Sequence, residues 1–396
     1  MQATGVSLSI PEIVLPIGIS FITFQKIAFL VDAYRREVKD FSLLNFSLFV
    51  TFFPQLIAGP IVHHSEVMPQ FANPRDLARR YDDLCAGTSI FCVGLFKKVI
   101  IADQCAIYAD RGYNILHAGQ SLDFSTAWIS VFAYSFQLYF DFSGYSDMAV
   151  GLARMFGIRL PANFHSPYKA QSIISFWQRW HMTLSRFLRD YLYIPLGGNR
   201  KGQLRRYLNL FVVMLLGGLW HGANWTFAVW GAVHGALLAI NHAWRSLPIA
   251  RAPIYQTRLA AGCFVTLTFL LVTLSWVPFR AHNLAEAGRM MATLFPVGPN
   301  RPGGWYVLHQ IASLPLFWRS TEGLVLVGTA LIIFFMPNSN QIFARFNPVL
   351  NLSPAELRSR GSLKRLDWRT AVVLAAVFMV SALSLLRVSP FLYFQF

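Results

Sequence analysis

The stretch Leu219–Trp230 reads LWHGANWTFAVW and places one histidine, His221, between two apolar runs. Only the 14 residues 207–220 separate Arg206 from His221. As a helix they would cover about 21 Å, at about 1.5 Å per residue, whereas the hydrocarbon core of a bilayer is about 30 Å thick. The turn is therefore predicted to lie at membrane depth, where irregular backbone is tolerated only when protein buries it or it lines a wet cavity.

A histidine in such a turn is expected to be functional. Burial disfavours the charged ring, so His221 should stay neutral and able to accept a proton, as a general base must. Ionisable residues inside a membrane are costly, and they usually mark functional sites. The alternative is that His221 ties two helices together by hydrogen bonds, and for His234, in VWGAVHG, that structural interpretation is the better one.

The composition predicts an integral membrane protein. Of the 396 residues, 55% are hydrophobic and 13% are charged, and the mean hydropathy is +0.44. We predict an all-α, multi-span helical bundle in a single domain, residues 1–396, with about nine spans and with re-entrant or interfacial helices at Gly144–Gly157 and Gln171–Tyr193. The predicted spans are Ile13–Val31, Leu43–Ile61, Leu84–Ala102, Ala127–Phe140, Leu208–Trp220, Trp225–Trp244, Ala260–Val277, Leu324–Met336 and Ala371–Leu386.

The net charge of +16 is interpreted as a topology signal. The basic residues fall between apolar runs rather than along one polar face, which argues against nucleic acid as a partner. By the positive-inside rule the loops that carry them face the cytoplasm, and the turn around His221 faces away from it. The basic clusters are Arg35/Arg36/Lys39, Arg75/Arg79/Arg80, Arg200/Lys201/Arg205/Arg206 and Arg345 through Arg358, Arg360, Lys364 and Arg365 to Arg369.

Several common signatures are not found in the sequence. Met1–Ile10 does not resemble a removable signal peptide, and the four cysteines show no disulfide or zinc spacing. No GxSxG, P-loop, HExxH or GxGxxG motif is present, so ordinary hydrolase chemistry is not supported.

A second group of candidates lies in Ser175–Arg200, SFWQRWHMTLSRFLRDYLYIPLGGNR. Arg179, Arg186 and Arg189 recur at about helical spacing, and guanidinium groups bind phosphate in a fork geometry. This predicts a cytoplasm-facing mouth for a phosphorylated or nucleotide-bearing donor, with Trp177, Trp180 and Tyr193 available for stacking. The alternative is an interfacial helix with an aromatic belt and snorkelling arginines.

Polar groups also interrupt two other apolar stretches. Asp141 and Asp147 are expected to pair with Arg or His inside the bundle. Gly59-Pro60 is expected to end a span, and His63 and His64 are most simply interfacial residues.

Six segments together resemble the membrane-bound O-acyltransferase family, in its bacterial alginate O-acetyltransferase branch. They are LPIGISFITFQ, FPQLIAGPI, FDFSGYSDMAVG, NFHSPYKAQSIISFWQRWHMTLSRFLRDYLYIPLGGNR, GGLWHGANWTFAVWG and WVPFRAHNLAEA. The resemblance is close from about Leu15 to Ala287. Members usually carry further apolar helices before LPIGISF, so the chain is expected to lack the first few N-terminal helices of the family.

The resemblance implies helices around a central funnel, with the donor arriving from the cytoplasm. It implies that His221, in WHG, is catalytic, and that His181, in FWQRWH, is the second histidine of the tunnel. The candidate substrate-binding residues are Arg179, Trp180, Arg186, Arg189, Asp190, Tyr193, Asn224 and Trp225, and no metal ligands are predicted.

The expected function is acetyl transfer from acetyl-CoA or another acyl thioester to an exported polysaccharide, with alginate as the leading acceptor and no tightly bound cofactor. Expected partners are the lipid bilayer of the bacterial inner membrane and periplasmic acetyltransferase proteins of an export system. The alternatives are acetylation of cellulose or peptidoglycan, D-alanyl transfer to teichoic acid, and an acyl-carrying transporter or channel.

Overall fold

The structure is a computed structural model that describes residues 18–38, 42–56, 59–71, 77–295, 320–359, 361–363, 365–385 and 392. Within these residues every regular element is helical. In chain order the helices are α1 (Ile19–Tyr34), α2 (Leu43–Thr51), α3 (His64–Phe71), α4 (Leu77–Phe96), α5 (Asp103–His117), α6 (Phe124–Met155), α7 (Ile173–Trp177), α8 (Met182–Leu188), α9 (Gln203–His221), α10 (Trp225–Ser246), α11 (Arg258–Arg280), α12 (Leu284–Leu294), α13 (Thr321–Phe335), α14 (Ser339–Ile342), α15 (Pro354–Leu357) and α16 (Trp368–Ser384). The all-α prediction is confirmed for this part of the chain.

Two helical stretches are long and apolar enough to cross a membrane. In Arg80–His117, α4 continues through a π-helical segment, Lys97–Ala102, into α5 to give 38 residues. The other stretch is α11, with 23 residues, and α13 and α16 are shorter apolar helices. The first predicted span begins at Ile13 and the last ends at Leu386, and both of these residues lie outside the described ranges. The same is true of four residues in the predicted basic clusters, Lys39, Arg75, Arg360 and Lys364. The larger span count, the funnel and the orientation remain predictions.

Helix α6 is a buried central helix of 32 residues. It begins where the Asp123 side chain accepts a hydrogen bond from the Thr126 amide at 2.9 Å, an N-cap interaction. A span at Ala127–Phe140 with a separate interfacial or re-entrant segment at Gly144–Gly157 was the wrong prediction, because one helix runs through both as far as Met155. Its polar residues are buried against neighbouring helices, so their polarity does not mark a membrane interface.

Helix α6 packs closely against α4 and the π-helical segment. A Cβ added at Gly94 would lie 2.7 Å from the Gly144 carbonyl oxygen, so only glycine permits this approach. Lys97 pairs with Asp147 at 2.7 Å and Lys98 with Asp141 at 2.8 Å. Both carboxylates are paired inside the bundle as predicted, but their partners are lysines rather than Arg or His.

The predicted span Leu43–Ile61 does not form one helix. Helix α2 ends at Thr51, and a short 3-10 segment, Phe53–Gln55, follows. Pro54 has no amide hydrogen and its ring clashes with the carbonyl four residues earlier, so an α-helix does not continue through it. The break therefore comes before the predicted end at Gly59-Pro60.

Two regions place the candidate residues. Gln171–Tyr193 folds as the short helices α7 and α8 and a π-helical segment, Arg189–Tyr193. The segment is therefore helical, and its predicted re-entrant or interfacial position stays a prediction. Helices α9 and α10 form a tight hairpin, in which a Cβ at Gly218 would lie 2.3 Å from the Phe227 carbonyl oxygen. The turn of this hairpin follows His221.

Candidate active site

A small cavity of about 30 Å³ lies where α6, the α7–α8 segment and the ends of α9, α10 and α11 meet. Its lining is aromatic and aliphatic except for two histidines and one aspartate. The lining residues are Leu138, Asp141, Phe142, Trp177, Trp180, His181, Leu184, His221, Trp230, Trp276, Phe279 and Leu392. The tertiary structure thus places both predicted catalytic histidines on one cavity.

His181 lies at the junction of α7 and α8 in a left-handed backbone conformation, with φ 43° and ψ 52°. This conformation is uncommon outside glycine, and such strained positions cost about 1–3 kcal/mol and concentrate at functional sites. The loop from Asn163 holds it in place, because the Met182 amide donates to the Asn163 carbonyl oxygen at 2.9 Å. The surrounding packing therefore fixes the direction of the imidazole.

A hydrogen-bond network also sets the tautomer of His181. The Asn163 side-chain oxygen accepts from the Thr183 hydroxyl at 2.9 Å and lies 3.0 Å from His181 Nδ1, while its amide nitrogen donates to Ser146 Oγ at 3.2 Å. In this network Nδ1 must carry the proton. In the neutral ring Nε2 then holds the lone pair. Nε2 is buried and has no hydrogen-bond partner among the described residues.

His221 is the last residue of α9 and is oriented by aromatic rings. Trp230 meets it edge to face with centroids 5.3 Å apart, and Phe279 does so at 5.0 Å. His221 is partly exposed, whereas His181 is only 2% exposed. His221 is therefore the more accessible of the two histidines.

The walls beside the two histidines are tryptophans. Trp276 stacks on Trp230 with centroids 5.7 Å apart and an interplanar angle of 18°, and Trp180 lies 5.2 Å from Trp276. All three are buried. Because indole rings are large and apolar, this arrangement gives the cavity a shaped, apolar lining.

His234 has both ring nitrogens occupied and lies outside this lining. Trp177 Nε1 donates to its Nδ1 at 3.2 Å, and its Nε2 lies 2.9 Å from Ser275 Oγ. It is fully buried and joins α7, α10 and α11. This is the geometry predicted for a structural histidine.

A second pocket, here called the outer pocket, has a volume of about 220 Å³. It is lined by Ala28, Ile61, Val62, His63, Ser65, Glu66, Thr183, Arg186, Phe187, Asp190 and Tyr191. Arg186 forms a two-pronged ion pair with Glu66, at 2.5 and 2.8 Å. Thr183 connects this pocket to the cavity, since its hydroxyl bonds to the same Asn163 oxygen as His181.

The prediction that His63 and His64 are simply interfacial residues does not describe their contacts. His63 Nε2 lies 2.6 Å from Asp32 Oδ2, and His64 Nδ1 lies 3.6 Å from the same oxygen. Tyr191 donates to that oxygen at 2.7 Å. Asp32 is 1% exposed, so these residues form a buried polar cluster beside the outer pocket.

The three arginines predicted to cluster have different surroundings. The helix is interrupted between α7 and α8, so the helical spacing from Arg179 to Arg186 is not continuous. Arg179 lies near His165 and Lys169, whereas Arg189 is 61% exposed and pairs with Asp190 at 2.7 Å. Of the charged candidates in this segment, Arg186 and Asp190 line the outer pocket, whereas Arg179 and Arg189 do not.

The aromatic and amide residues predicted to bind substrate also lie in different places and do not form one site. Trp177 and Trp180 are buried in the cavity wall rather than available at a mouth, and Tyr193 is half-buried. Asn224 caps α10 by accepting from the Thr226 amide at 3.1 Å. Trp225 is 76% exposed and does not line the cavity.

Several residues of the site were not singled out from the sequence, and three of them have clear roles. Asn163 orients His181, and Trp276 and Phe279 form one wall of the cavity. They lie in NFHSPY and WVPFR, both within segments that carry the family resemblance, so a functional signal was present there. Their roles depend on contacts between distant parts of the chain, which residue spacing does not reveal.

The fold and cavity define a class: a strongly apolar protein, helical throughout its described residues, with two histidines facing a largely apolar internal cavity. A family model described as the membrane-bound O-acyltransferase family matches residues 9–277. The chain belongs to the membrane-bound O-acyltransferase family, and the predicted class, a membrane O-acyltransferase, is confirmed.

Three relatives span the range of similarity. A peptidoglycan O-acetyltransferase of Helicobacter pylori is 48% identical over 71% of this chain and 56% of its own length. A protein of Pseudomonas putida named "Probable alginate O-acetylase AlgI" is 40% identical over 97% of this chain and 76% of its own length. A teichoic acid D-alanyltransferase of Bacillus subtilis is 27% identical over 67% of this chain and 70% of its own length.

Proposed function

We propose that the protein transfers an acetyl group from a cytoplasmic thioester, acetyl-CoA or another acyl thioester, to a hydroxyl of an exported polysaccharide. The observation that carries the proposal is the shared cavity of His181 and His221. Two imidazoles on one apolar cavity supply the proton acceptor and the hydrogen-bond partner that acyl transfer to a hydroxyl requires.

In the proposed reaction the acceptor oxygen attacks the thioester carbonyl carbon while His221 takes the hydroxyl proton. The carbon–sulfur bond then breaks, and the thiolate takes the proton back from the imidazolium to leave as a free thiol. The products are an O-acetyl ester and CoA when acetyl-CoA is the donor. General base catalysis of this kind contributes about 10²–10⁴-fold to the rate.

His181 is proposed to orient the acceptor. With its proton on Nδ1, its Nε2 lone pair can accept a hydrogen bond from the attacking hydroxyl or from a second hydroxyl of a sugar ring. The aromatic walls support transfer over hydrolysis, because excluding water protects a reactive thioester.

The donor is proposed to approach from the outer pocket. This pocket carries the Arg186–Glu66 pair and Asp190, and the exposed Arg189 lies next to Asp190 in the chain. Guanidinium groups suit the phosphates of a nucleotide-bearing thioester. No tightly bound cofactor is required.

Alginate is the leading acceptor, because the relative named for alginate O-acetylation matches over 97% of this chain. Peptidoglycan is the second candidate, since the relative named for it has the higher identity, 48%, over a shorter alignment. We place the protein in the bacterial inner membrane, with periplasmic acetyltransferase proteins of an export system as partners. Mass spectrometry of acetyl groups on each polymer, with and without the gene, distinguishes the two acceptors.

The catalytic proposal is tested with His221→Ala in purified full-length protein. We expect CoA release from acetyl-CoA in the presence of acceptor to fall by about 10²-fold or more, the rate attributable to a general base, with an unchanged elution volume in detergent. His242→Ala, at the opposite end of the α9–α10 hairpin, is the control and should retain activity. Normal turnover in His221→Ala would refute the assignment, and the absence of CoA release from wild-type protein would favour a channel.

A further inference from the structure

Glu286 is a buried carboxylate on the first turn of α12. It is 1% exposed, and its backbone amide donates to Asn283 Oδ1 at 2.9 Å. Its Oε1 has no hydrogen-bond partner within the described ranges. Burying a carboxylate costs free energy unless it is paired or coordinates a metal, so the groups that face it decide what it does.

Two histidines face the other oxygen of Glu286. One, His282, lies four residues earlier in the chain, and the other, His117, comes from a distant segment. His282 Nδ1 lies 3.3 Å from Oε2, and His117 Nδ1, at the end of α5, lies 3.7 Å from it. The two imidazole rings are 4.3 Å apart. The three donor atoms all lie within 4.8 Å of one another.

The neighbouring arginines have other partners. Arg280 donates to Asp110 Oδ1 at 2.9 Å and lies over the Tyr113 ring. Arg289 donates to the Leu116 carbonyl oxygen at 2.9 Å. In the part of the chain that the structure describes, the ion-pair partners of Glu286 are therefore the two histidines.

We propose that His117, His282 and Glu286 bind a divalent transition-metal ion of the zinc type. Ligand atoms about 2.0–2.1 Å from a tetrahedral zinc ion lie about 3.3 Å from one another, close to the 3.3 and 3.7 Å measured here. Two imidazoles and a carboxylate are a ligand set that zinc accepts, with one position left for water. The histidine side chains are 60% and 50% exposed, so they can adjust and the ion can reach them from solvent.

The metal would connect the end of α5 to the junction between α11 and α12. That junction also supports the active-site turn, because Asn224 Nδ2 donates to the His282 carbonyl oxygen at 2.9 Å. Asn224 lies three residues after His221. An ion at this site would therefore hold the turn after His221 in position, which makes its ligands positioning residues.

The site is tested by metal analysis of the purified full-length protein. After incubation with Zn²⁺ and gel filtration, we expect about one zinc ion per chain in the wild type and at least tenfold less in Glu286→Gln and in the double variant His117→Asn/His282→Asn. Zinc should also raise the Tm of the wild type, because a ligand that binds only the folded state stabilises it, and should leave the Tm of Glu286→Gln unchanged.

A matched control uses the other histidine pair beside a buried carboxylate. His63 and His64 face Asp32, and His63→Asn/His64→Asn should retain the wild-type zinc content. Equal zinc in the wild type and in the His117→Asn/His282→Asn variant would overturn the proposal, and so would loss of zinc from the control instead. Since both substituted side chains of the test variant are exposed, it is expected to fold even if Glu286→Gln does not.

Discussion

His181 combines a strained backbone with a fixed tautomer. Its left-handed conformation puts the imidazole at the start of α8 and into the cavity. The Asn163 side-chain oxygen accepts a hydrogen bond from the Nδ1–H group, and Asn163 is itself held by Thr183 and Ser146. The chemistry of one ring nitrogen therefore depends on three side chains that do not line the cavity.

Two substitutions distinguish the role of the His181 backbone from the role of its imidazole. His181→Asn and His181→Val should both reduce acetyl transfer, since both remove the ring. Asparagine tolerates the left-handed region, whereas a β-branched side chain does not, at a cost of about 1–2 kcal/mol. Thermal unfolding in detergent should thus give a lower Tm for the valine variant. Equal Tm values would show that the backbone at His181 is not strained.

Substitutions of Arg189 and of Arg111 test whether the acyl donor binds near the outer pocket. Arg189 is 61% exposed and pairs with Asp190 at 2.7 Å, and Arg111 is 59% exposed and pairs with Glu322 at 2.6 Å. Arg189→Gln should raise the donor KM several-fold with a smaller effect on kcat, because it removes binding rather than chemistry. Arg111→Gln should leave both unchanged. An unaltered KM in Arg189→Gln would return Arg189 to the snorkelling interpretation.

Glycine contacts determine how the helices are arranged around the cavity. Gly218 and Gly231 lie on facing sides of the α9–α10 hairpin, and a Cβ at Gly231 would lie 2.4 Å from the Met214 carbonyl oxygen. Such contacts are between backbones, so a side chain cannot turn away to relieve them. The position of His221 at the end of α9 thus depends on helix packing within the hairpin.

Gly218→Ala is expected to destabilise the hairpin. The added methyl group would force α9 and α10 apart, and overpacking of this kind costs about 1–3 kcal/mol. The control is Gly262→Ala in α11, where a Cβ would meet nothing within 4 Å and where helix propensity favours alanine by about 0.5–1 kcal/mol. Thermal unfolding should give a lower Tm for the first variant and an equal or higher Tm for the second. The reverse order would contradict the packing.

For the molecule as a whole, the question is how deep the turn after His221 lies. Ala223 is exposed on the protein itself, so protein does not bury this turn, and at membrane depth it would have to line a water-filled funnel. Gln120, just beyond α5, is also exposed. Gln120 belongs to the same end of the molecule, because the end of α5 and the active-site turn both contact the α11–α12 junction. The two positions therefore differ in predicted depth but not in exposure on the protein.

Cysteine labelling measures this depth. In a background without the four native cysteines, Ala223→Cys should react at least tenfold more slowly than Gln120→Cys with a bulky charged thiol reagent, because the reagent does not enter the hydrocarbon region and reaches the turn only through the funnel. The loop at 299–303 is a further predicted exposed region but lies outside the described residues. Equal rates at both cysteines would place the turn in water and remove the physical basis for a neutral, proton-accepting His221.

The amino-acid sequence determined the class of protein and singled out His221 as its candidate catalytic residue. High hydropathy and few charges indicated membrane helices, and the 14 residues between Arg206 and His221 indicated a turn at membrane depth. The first inference succeeds because it depends on local composition, and the second, which depends on chain length, stays a prediction. The six motifs then identified the family to which the chain belongs.

Only the tertiary structure decided which residues meet. Asp141 and Asp147 have lysines as partners, the three arginines are separated, and His117 comes from a distant segment to meet His282 and Glu286. The polar residues of Gly144–Gly157 resembled an interface in the sequence, but the stretch as far as Met155 proved to be part of the buried helix α6. The physical reason is that a buried polar group is stabilised by whichever partner the packing brings within hydrogen-bond distance, and that partner is not encoded by neighbours in the chain.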